Sequence, residues 1–509
     1  MERSRFPHLL ARLLIGGALS APFAAQAAGD CAALAQQVLP EATITTVESV
    51  PAGSFVTPPQ ISLPSKSLAV PAFCRIALTI APSALTEVWL PETWNGRLEG
   101  WGNGGSTGVI MFDALAYAAT AGYATVSSDL GHQSTGDDFS WANGRPDLVI
   151  DFGYRATHMM TVIAKQLATA YYGAAPTRAY FQGNSAGGRQ ALMEASRYPE
   201  DYDGIIAGTP AQNWTRLMAG AVHQSLAIMG DPALSGYPSA GQVNKLAQAV
   251  IASCDGLDGL SDGQITDPRA CTYDPQALAC SVNPGANCLS AAQVTAIRKL
   301  YAPLTNSAGQ TLYPGAVRGS EFEWSCSFLG SAPYTGLTYL LSQSYFQHAV
   351  YELPAWDFRS FDADIDVPYS DQKLADTLSG TYNLDAFRAR GGKLLVWHGW
   401  SDGLITPLAT VDYREALLAR YGTATLDGFF RLYMLPAVGH CGSYGPGNFD
   451  PQTAVQNWVE QGVAPQSLNA FQTNALGWVI RGRPVCPYPQ KAVYNGNGGV
   501  NLPRNFSCQ

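Results

Sequence analysis

An α/β fold built on a doubly wound, mostly parallel sheet, with a large lid domain inserted into it, is the class this sequence predicts. Three observations carry that expectation. Short apolar runs alternate with segments of helical spacing up to residue 211; the rhythm lapses over 212–382, where glycine, proline, serine and aspartate become frequent; and it resumes from 383 onward. The length of 509 residues also exceeds that of one ordinary domain. The expected division is a first part of the core at 28–211, a lid at 212–382 and a second part of the core at 383–509.

Residues 1–27 read as a removed signal peptide. Arg3, Arg5 and Arg12 precede the apolar run LLIGGALSAPFAA, which is too short to span a bilayer, and Ala25-Gln26-Ala27 fits a small-residue cleavage site. The segments FCRIALTIAP and EVWLPETWNGRLEGWGNGG then read as strands, with Asn95-Gly96 supplying a tight hairpin turn. GYATVSSD is a further strand, MMTVIAKQLATAYYG a helix stopped by its glycine, and RAYFQGNSAGGRQALMEASRYP a strand, turn and helix in succession. YDGIIAGTP continues as the next strand. In the lid, AAQVTAIRKLY has helical spacing between loops. The core returns at GGKLLVWHGWSDG and FFRLYMLPAVGHCG, followed by the helix QTAVQNWVEQGV.

Composition narrows the function. A hydrophobic fraction of 47% with 24 Tyr and 11 Trp describes an ordered globular chain. A net charge of -9 argues against nucleic acid, which needs a basic face, and offers nothing to an anionic membrane. No segment after the leader is long and apolar enough for a membrane helix, so a soluble, exported protein is expected, secreted or periplasmic. The ten cysteines, in such an oxidising compartment, favour disulfides over metal thiolates. Local grouping suggests Cys31 with Cys74, Cys254 with Cys271, Cys280 with Cys288 and Cys486 with Cys508, leaving Cys326 and Cys441; spacing alone does not determine connectivity.

The chemistry centres on Gly183-Asn184-Ser185-Ala186-Gly187. This G-x-S-x-G pattern, between an apolar strand and a helix, is the signature of a turn that holds a nucleophilic serine exposed. Such a serine needs a base and an orienting acid. Asp402, after the strand that ends in WHGWSDG, and His440, in the glycine-bounded loop PAVGHCG, follow Ser185 in the order serine, acid, histidine. His398 reads as a supporting or core residue, and His132 as a possible pocket residue. The glycine-rich GWGNGGSTG can present a main-chain N–H from Gly104 or Gly105 beside that of Ala186 to an oxyanion. It lacks the lysine of a phosphate-binding loop.

A second constellation is SCDGLDGLSDGQITDPRAC. Asp255, Asp258 and Asp262 crowd three carboxylates into one turn, where they repel one another unless a hard cation sits between them. The spacing is not that of an EF-hand, and a solvated acidic loop is the alternative reading.

Together GNGG, GNSAGGRQALMEASRYPEDYDGIIAGTPAQNW, CDGLDGLSDGQITDP, WHGWSDGLITP and GHC resemble, in order, the tannase and feruloyl esterase family. These are secreted α/β-hydrolases with a large lid that include the terephthalate-monoester hydrolase MHETase. The resemblance implies a triad of Ser185, Asp402 and His440, and an oxyanion hole of Ala186 with Gly104 or Gly105. It implies a structural calcium ion in the lid, held by carboxylates of Asp255, Asp258 and Asp262 and main-chain oxygens of Leu260 and Gln264. The family also has a cysteine before the serine, bonded to one after the histidine. Here Asn184 replaces the first, so Cys441 is either free or paired with Cys326, tethering the lid to the histidine loop; the pairing is the expectation. Asn184 is a candidate to replace part of that tether with side-chain hydrogen bonds. The implied activity is hydrolysis of aromatic esters, feruloyl or galloyl, through an acyl-enzyme; a terephthalate-monoester or general carboxylesterase and a catalytically silent binding protein are the alternatives. Lid aromatics Trp324, Tyr334, Tyr345, Phe346 and Trp356 are candidates to hold a flat ring, though core positions are the commoner use of such residues.

Overall fold

A computed structural model describes residues 29–61 and 63–509, so the leader expected at 1–27 lies outside the described residues. Nine strands form the main sheet: β1 (Ala42–Val50), β2 (Phe73–Ile80), β3 (Ala84–Pro91), β4 (Arg97–Trp101), β5 (Ala124–Ser128), β6 (Arg178–Asn184), β7 (Gly204–Gly208), β8 (Lys393–Gly399) and β9 (Phe430–Leu435). Their spatial order is β1-β2-β3-β5-β4-β6-β7-β8-β9. From β5 to β9 all neighbours are parallel, while β1, β2 and β3 form an antiparallel edge that joins β5. This is the α/β-hydrolase sheet.

One expectation fails here. Asn95-Gly96 does not close a hairpin, because β5 inserts between β3 and β4: β3 pairs antiparallel with β5, and β4 parallel with it. The turn residues are right for a reversal, but β4 gains two parallel neighbours by crossing over.

The central strands are covered on both sides, so every residue of β5 and of β7 is buried; β7, Gly-Ile-Ile-Ala-Gly, is apolar throughout, while β5 also buries Thr125, Ser127 and Ser128. Alternation then sends Ile205 and Ala207 to one face and Ile206 to the other. Helices α1 (Phe112–Thr120), α2 (Ala156–Tyr172) and α3 (Ala186–Arg197) follow the strands; α2 ends at Gly173, whose φ of +72° is the left-handed stop its sequence announces.

Between β7 and β8 no strand joins the main sheet. The chain instead forms α4 (Trp214–Met229), α5 (Ala240–Cys254), α6 (Ala291–Tyr301), α7 (Leu337–Ser344) and α8 (Ala363–Leu378), joined in part by long connections that carry single helical turns and a small two-stranded hairpin, Leu304–Thr305 with Thr311–Tyr313. Both α5 and α6 start at a serine cap with glutamine three residues on, and both capping boxes are formed. Apolar residues of this segment, among them Met218, Ile297, Trp324 and Phe346, are continuous with sheet residues such as Ile205 and Leu394. Helices α9 (Pro407–Tyr421) and α10 (Pro451–Gln461) complete the layers. Disulfides join Cys31 to Cys74, Cys254 to Cys271, Cys280 to Cys288, Cys326 to Cys441 and Cys486 to Cys508.

Candidate active site

Three carboxyl ends of parallel strands meet at one point, where an open α/β sheet places its ligands. After β6 the chain turns through Ser185 at φ 60°, ψ -121°, and enters α3 at once. A non-glycine residue held there costs of order 1–3 kcal/mol, which the surrounding hydrogen bonds must sustain. The Ser185 N–H donates to Gly208 O at 2.9 Å, and its carbonyl accepts from Arg189 and Ala211, each at 3.0 Å. Gly183 and Gly187 press backbone against backbone, so that a Cβ on Gly183 would overlap the main chain of Gly187. The G-x-S-x-G spacing is therefore a packing requirement of the turn.

Asp402 follows β8. Its Oδ1 accepts the N–H groups of Leu404 (2.9 Å) and Ile405 (2.8 Å), which leaves Oδ2 for His440 Nδ1 at 2.8 Å. His440, on the loop after β9, presents Nε2 to Ser185 Oγ at 3.0 Å. His398 supports the acid from behind: Nε2 lies 3.2 Å from Asp402 Oδ2, and Nδ1 lies 2.8 Å from Thr410 Oγ1. Burial by itself would push the Asp402 carboxyl up, but His440 and then His398 outweigh it and hold the group far below the usual carboxylate range. Burial opposes the His440 imidazolium, yet Asp402 and, less strongly, Glu323 raise its pKa above the ordinary histidine value. An imidazole with this acid behind it and a serine before it can take a proton from Oγ and return one to a leaving group.

Ala186 begins α3, with its N–H beside Ser185. Gly104 and Gly105 line the same cavity as Ser185 and His440, and their N–H groups make no hydrogen bond among the described residues. Gly105, at φ 55°, has no room for a side chain against Gly136 O. Of the three expected donors, Gly104 and Gly105 border the cavity, and Ala186 directly follows Ser185 in the chain.

That cavity holds about 380 Å³ and is walled by Trp214, Leu217, Met218 and Ala221 of α4, Leu337, Thr338 and Leu341 of α7, and Val109, Met111, Leu404 and Ile405 from the core. No lysine, arginine, aspartate or glutamate lines it. Of the lid aromatics expected as candidates, Trp324, Tyr345, Phe346 and Trp356 are buried in the core and Tyr334 packs on Tyr339 and Phe358; none borders the cavity. The ring that does is Trp214, which the sequence reading did not single out. Its signal was position, close after a strand end. His132 is likewise not a cavity residue: it is buried, stacks on Trp141 at 3.8 Å and has Nε2 2.9 Å from Ser106 O, bracing the glycine-rich loop.

Asn184 is exposed and its side chain makes no hydrogen bond among the described residues, so it does not supply the substitute tether expected of it. Cys441 is bonded to Cys326 of the segment Ser325–Leu329. Glu323, missed in the sequence, accepts the N–H of His440 at 2.5 Å and of Cys441 at 2.9 Å.

The acidic turn lies away from this cavity. Asp255 accepts N–H groups from Asp262, Gly263 and Gln264; Asp258 accepts from Leu260 and Thr266; and Asp262 pairs with Arg483. The oxygen-only donor set suits a hard cation. As arranged, the three carboxylates do not gather into a ready-made ligand cluster among the described residues, and Arg483 competes for Asp262.

The profile of the tannase and feruloyl esterase family matches residues 69–509. An uncharacterized esterase of Xanthomonas campestris is 33% identical, covering 98% of this chain and 94% of its own. A probable feruloyl esterase B-2 of Aspergillus flavus is 35% identical over 83% of this chain and 84% of its own. The crystal structure of feruloyl esterase B from Aspergillus oryzae superposes with a TM-score of 0.87 at 29% identity, covering 94% of this chain and 99% of that one. The chain belongs to the tannase and feruloyl esterase family and is a carboxylic ester hydrolase of the α/β-hydrolase fold.

Proposed function

We propose that this esterase is exported and hydrolyses esters of phenolic aromatic acids, feruloyl or galloyl in type, through an acyl-enzyme on Ser185. Ser185 Oγ attacks the ester carbonyl while His440 Nε2 takes its proton; N–H groups of Ala186 and of Gly104 or Gly105 hold the oxyanion; the alcohol leaves with the proton from His440; and water repeats the cycle to free the acid. Asp402 keeps the imidazole in the required tautomer and stabilises its cation. The observation that carries the substrate class is the cavity: apolar, walled by Trp214, and without a charged side chain apart from His440 itself. The neutral aromatic acyl group of a phenolic ester enters such a space without burying a charge, whereas the free ring carboxylate of a terephthalate monoester finds no cation there. Five disulfides support export, to the outside or the periplasm.

We also propose a structural calcium ion at Asp255, Asp258 and Asp262 with main-chain oxygens of Leu260 and Gln264. It stiffens the lid loop and takes no part in the reaction; its binding requires Asp262 to leave or share Arg483.

The test is hydrolysis of methyl ferulate, methyl gallate and a terephthalate monoester, with Ser185→Ala as the control. Turnover of a phenolic ester that vanishes in the control supports the reading. Preference for the terephthalate ester would transfer the assignment to that class, and activity on small aliphatic esters alone to a general carboxylesterase. A Ser185 inert even to a serine-directed phosphonate would indicate a silent binding protein.

A further inference from the structure

Glu323 is almost fully buried, lies in the lid, and touches both loops that carry the triad's acid and base. One of its oxygens accepts two adjacent main-chain N–H groups, those of His440 at 2.5 Å and Cys441 at 2.9 Å. Two glycines make the space for it. A Cβ on Gly403, next to Asp402, would lie 2.7 Å from Glu323 Cβ, and one on Gly439, next to His440, would overlap the Glu323 carboxyl. Three residues beyond, Cys326 is bonded to Cys441. Ser327 Oγ donates to the Glu323 carbonyl at 3.1 Å, fixing the turn that carries it.

We propose that Glu323 is a positioning residue of the esterase, through which the lid sets the height and direction of the His440 imidazole. The inference rests on the assignment of His440 as the general base. A main-chain N–H cannot leave its loop, so a buried carboxylate that accepts two in succession fixes the backbone of that loop directly, and two charge-assisted hydrogen bonds hold it more firmly than neutral ones. The loop that carries the base is thus clamped from the lid side by a carboxylate and a disulfide. The face of Asn184, beside the nucleophile, contributes no such restraint. The charge matters as well as the contact: the charged groups facing His440 are Asp402 from the loop after β8 and Glu323 from the lid, and both favour the imidazolium.

The test compares Glu323→Gln with Glu323→Ala in the full mature chain, by amide hydrogen exchange at His440 and Cys441, by NMR titration of the His440 ring, and by kcat and KM on p-nitrophenyl butyrate. Glutamine keeps an oxygen acceptor and loses the charge: amide protection stays near that of the parent, kcat stays within a few-fold, and the His440 pKa falls. Alanine removes the acceptor: exchange at both amides accelerates and kcat falls by roughly tenfold or more at little change in KM. A residue that only fills space would leave the His440 titration where it is in Glu323→Gln. That result, or unchanged exchange in Glu323→Ala, overturns the proposal. If Glu323→Ala does not fold, Glu323→Gln decides by the titration. A parent chain inert to the ester and to a serine-directed phosphonate, whose His440 titration still shifts in Glu323→Gln, would sink the assignment of His440 as general base and keep the positioning role.

Discussion

Replacing both Cys326 and Cys441 by serine tests how much of the site is held from the lid. The two residues are 115 apart in sequence, and no other disulfide falls within the segment, so its cut frees the whole loop in the unfolded chain. On the loop-entropy account a closure of about a hundred residues contributes about 4.7 kcal/mol, against a typical measured range of about 2–4 kcal/mol. The double substitution is preferred to a single one because Cys441 is exposed and a lone thiol there would pair with other chains. Guanidinium unfolding followed by tryptophan fluorescence should show a loss of about 2–5 kcal/mol. The effect on kcat should be smaller, about tenfold or less, because the two hydrogen bonds from Glu323 still hold the histidine loop. Adding Glu323→Ala should then cost more than the two changes do separately, since they secure the same loop. An unfolding free energy within about 0.5 kcal/mol of the parent's, with kcat unchanged, would refute the reasoning: the staple would then be neither a restraint on the chain nor a support of the site.

Because Asp402 and Glu323 raise His440, and the base acts only when neutral, kcat/KM should climb with pH through an inflection above the ordinary histidine value of about 6.5. Asp402→Asn should lower kcat by roughly 10⁴ and move that inflection down; an unmoved inflection would assign the titration to another group. Trp214 is buried against Phe139 and Phe152, with the Arg189 guanidinium 5.4 Å from its ring centre, and it also walls the cavity. Trp214→Ala should cost about 3–5 kcal/mol in denaturant unfolding and raise KM for an aromatic ester but not for an acetyl ester. Removal of calcium by a chelator should lower Tm by several degrees, reversed by added calcium, with kcat of the folded protein unchanged; an identical Tm in both conditions would leave Asp262 to Arg483 alone.

The sequence by itself determined what is local. The strand-turn-helix around Ser185 was legible because a strained serine demands small neighbours at fixed spacing, and glycines two residues to either side announce that demand. Asp402 and His440 were legible for the same reason, each placed by a short apolar strand that ends in glycine-rich loop. Helix starts at Ser239 and Ser290, and the stop at Gly173, are written in single residues next to the backbone groups they satisfy. What lay beyond the sequence was which distant surfaces meet. Asn95-Gly96 has the chemistry of a hairpin, but β5 takes the place beside β3 because the sheet as a whole gains parallel neighbours that way. The aromatic residues of the lid all look alike as a string, and only packing sends Trp324 and Phe346 into the core while Trp214 faces the cavity. Glu323 stands 117 residues before the histidine it contacts, in a stretch with no motif of its own. Its role was decided by tertiary structure because spacing in sequence encodes only the interactions of near neighbours. Contacts across the fold are chosen by the sum of many small packing terms, which no single residue records.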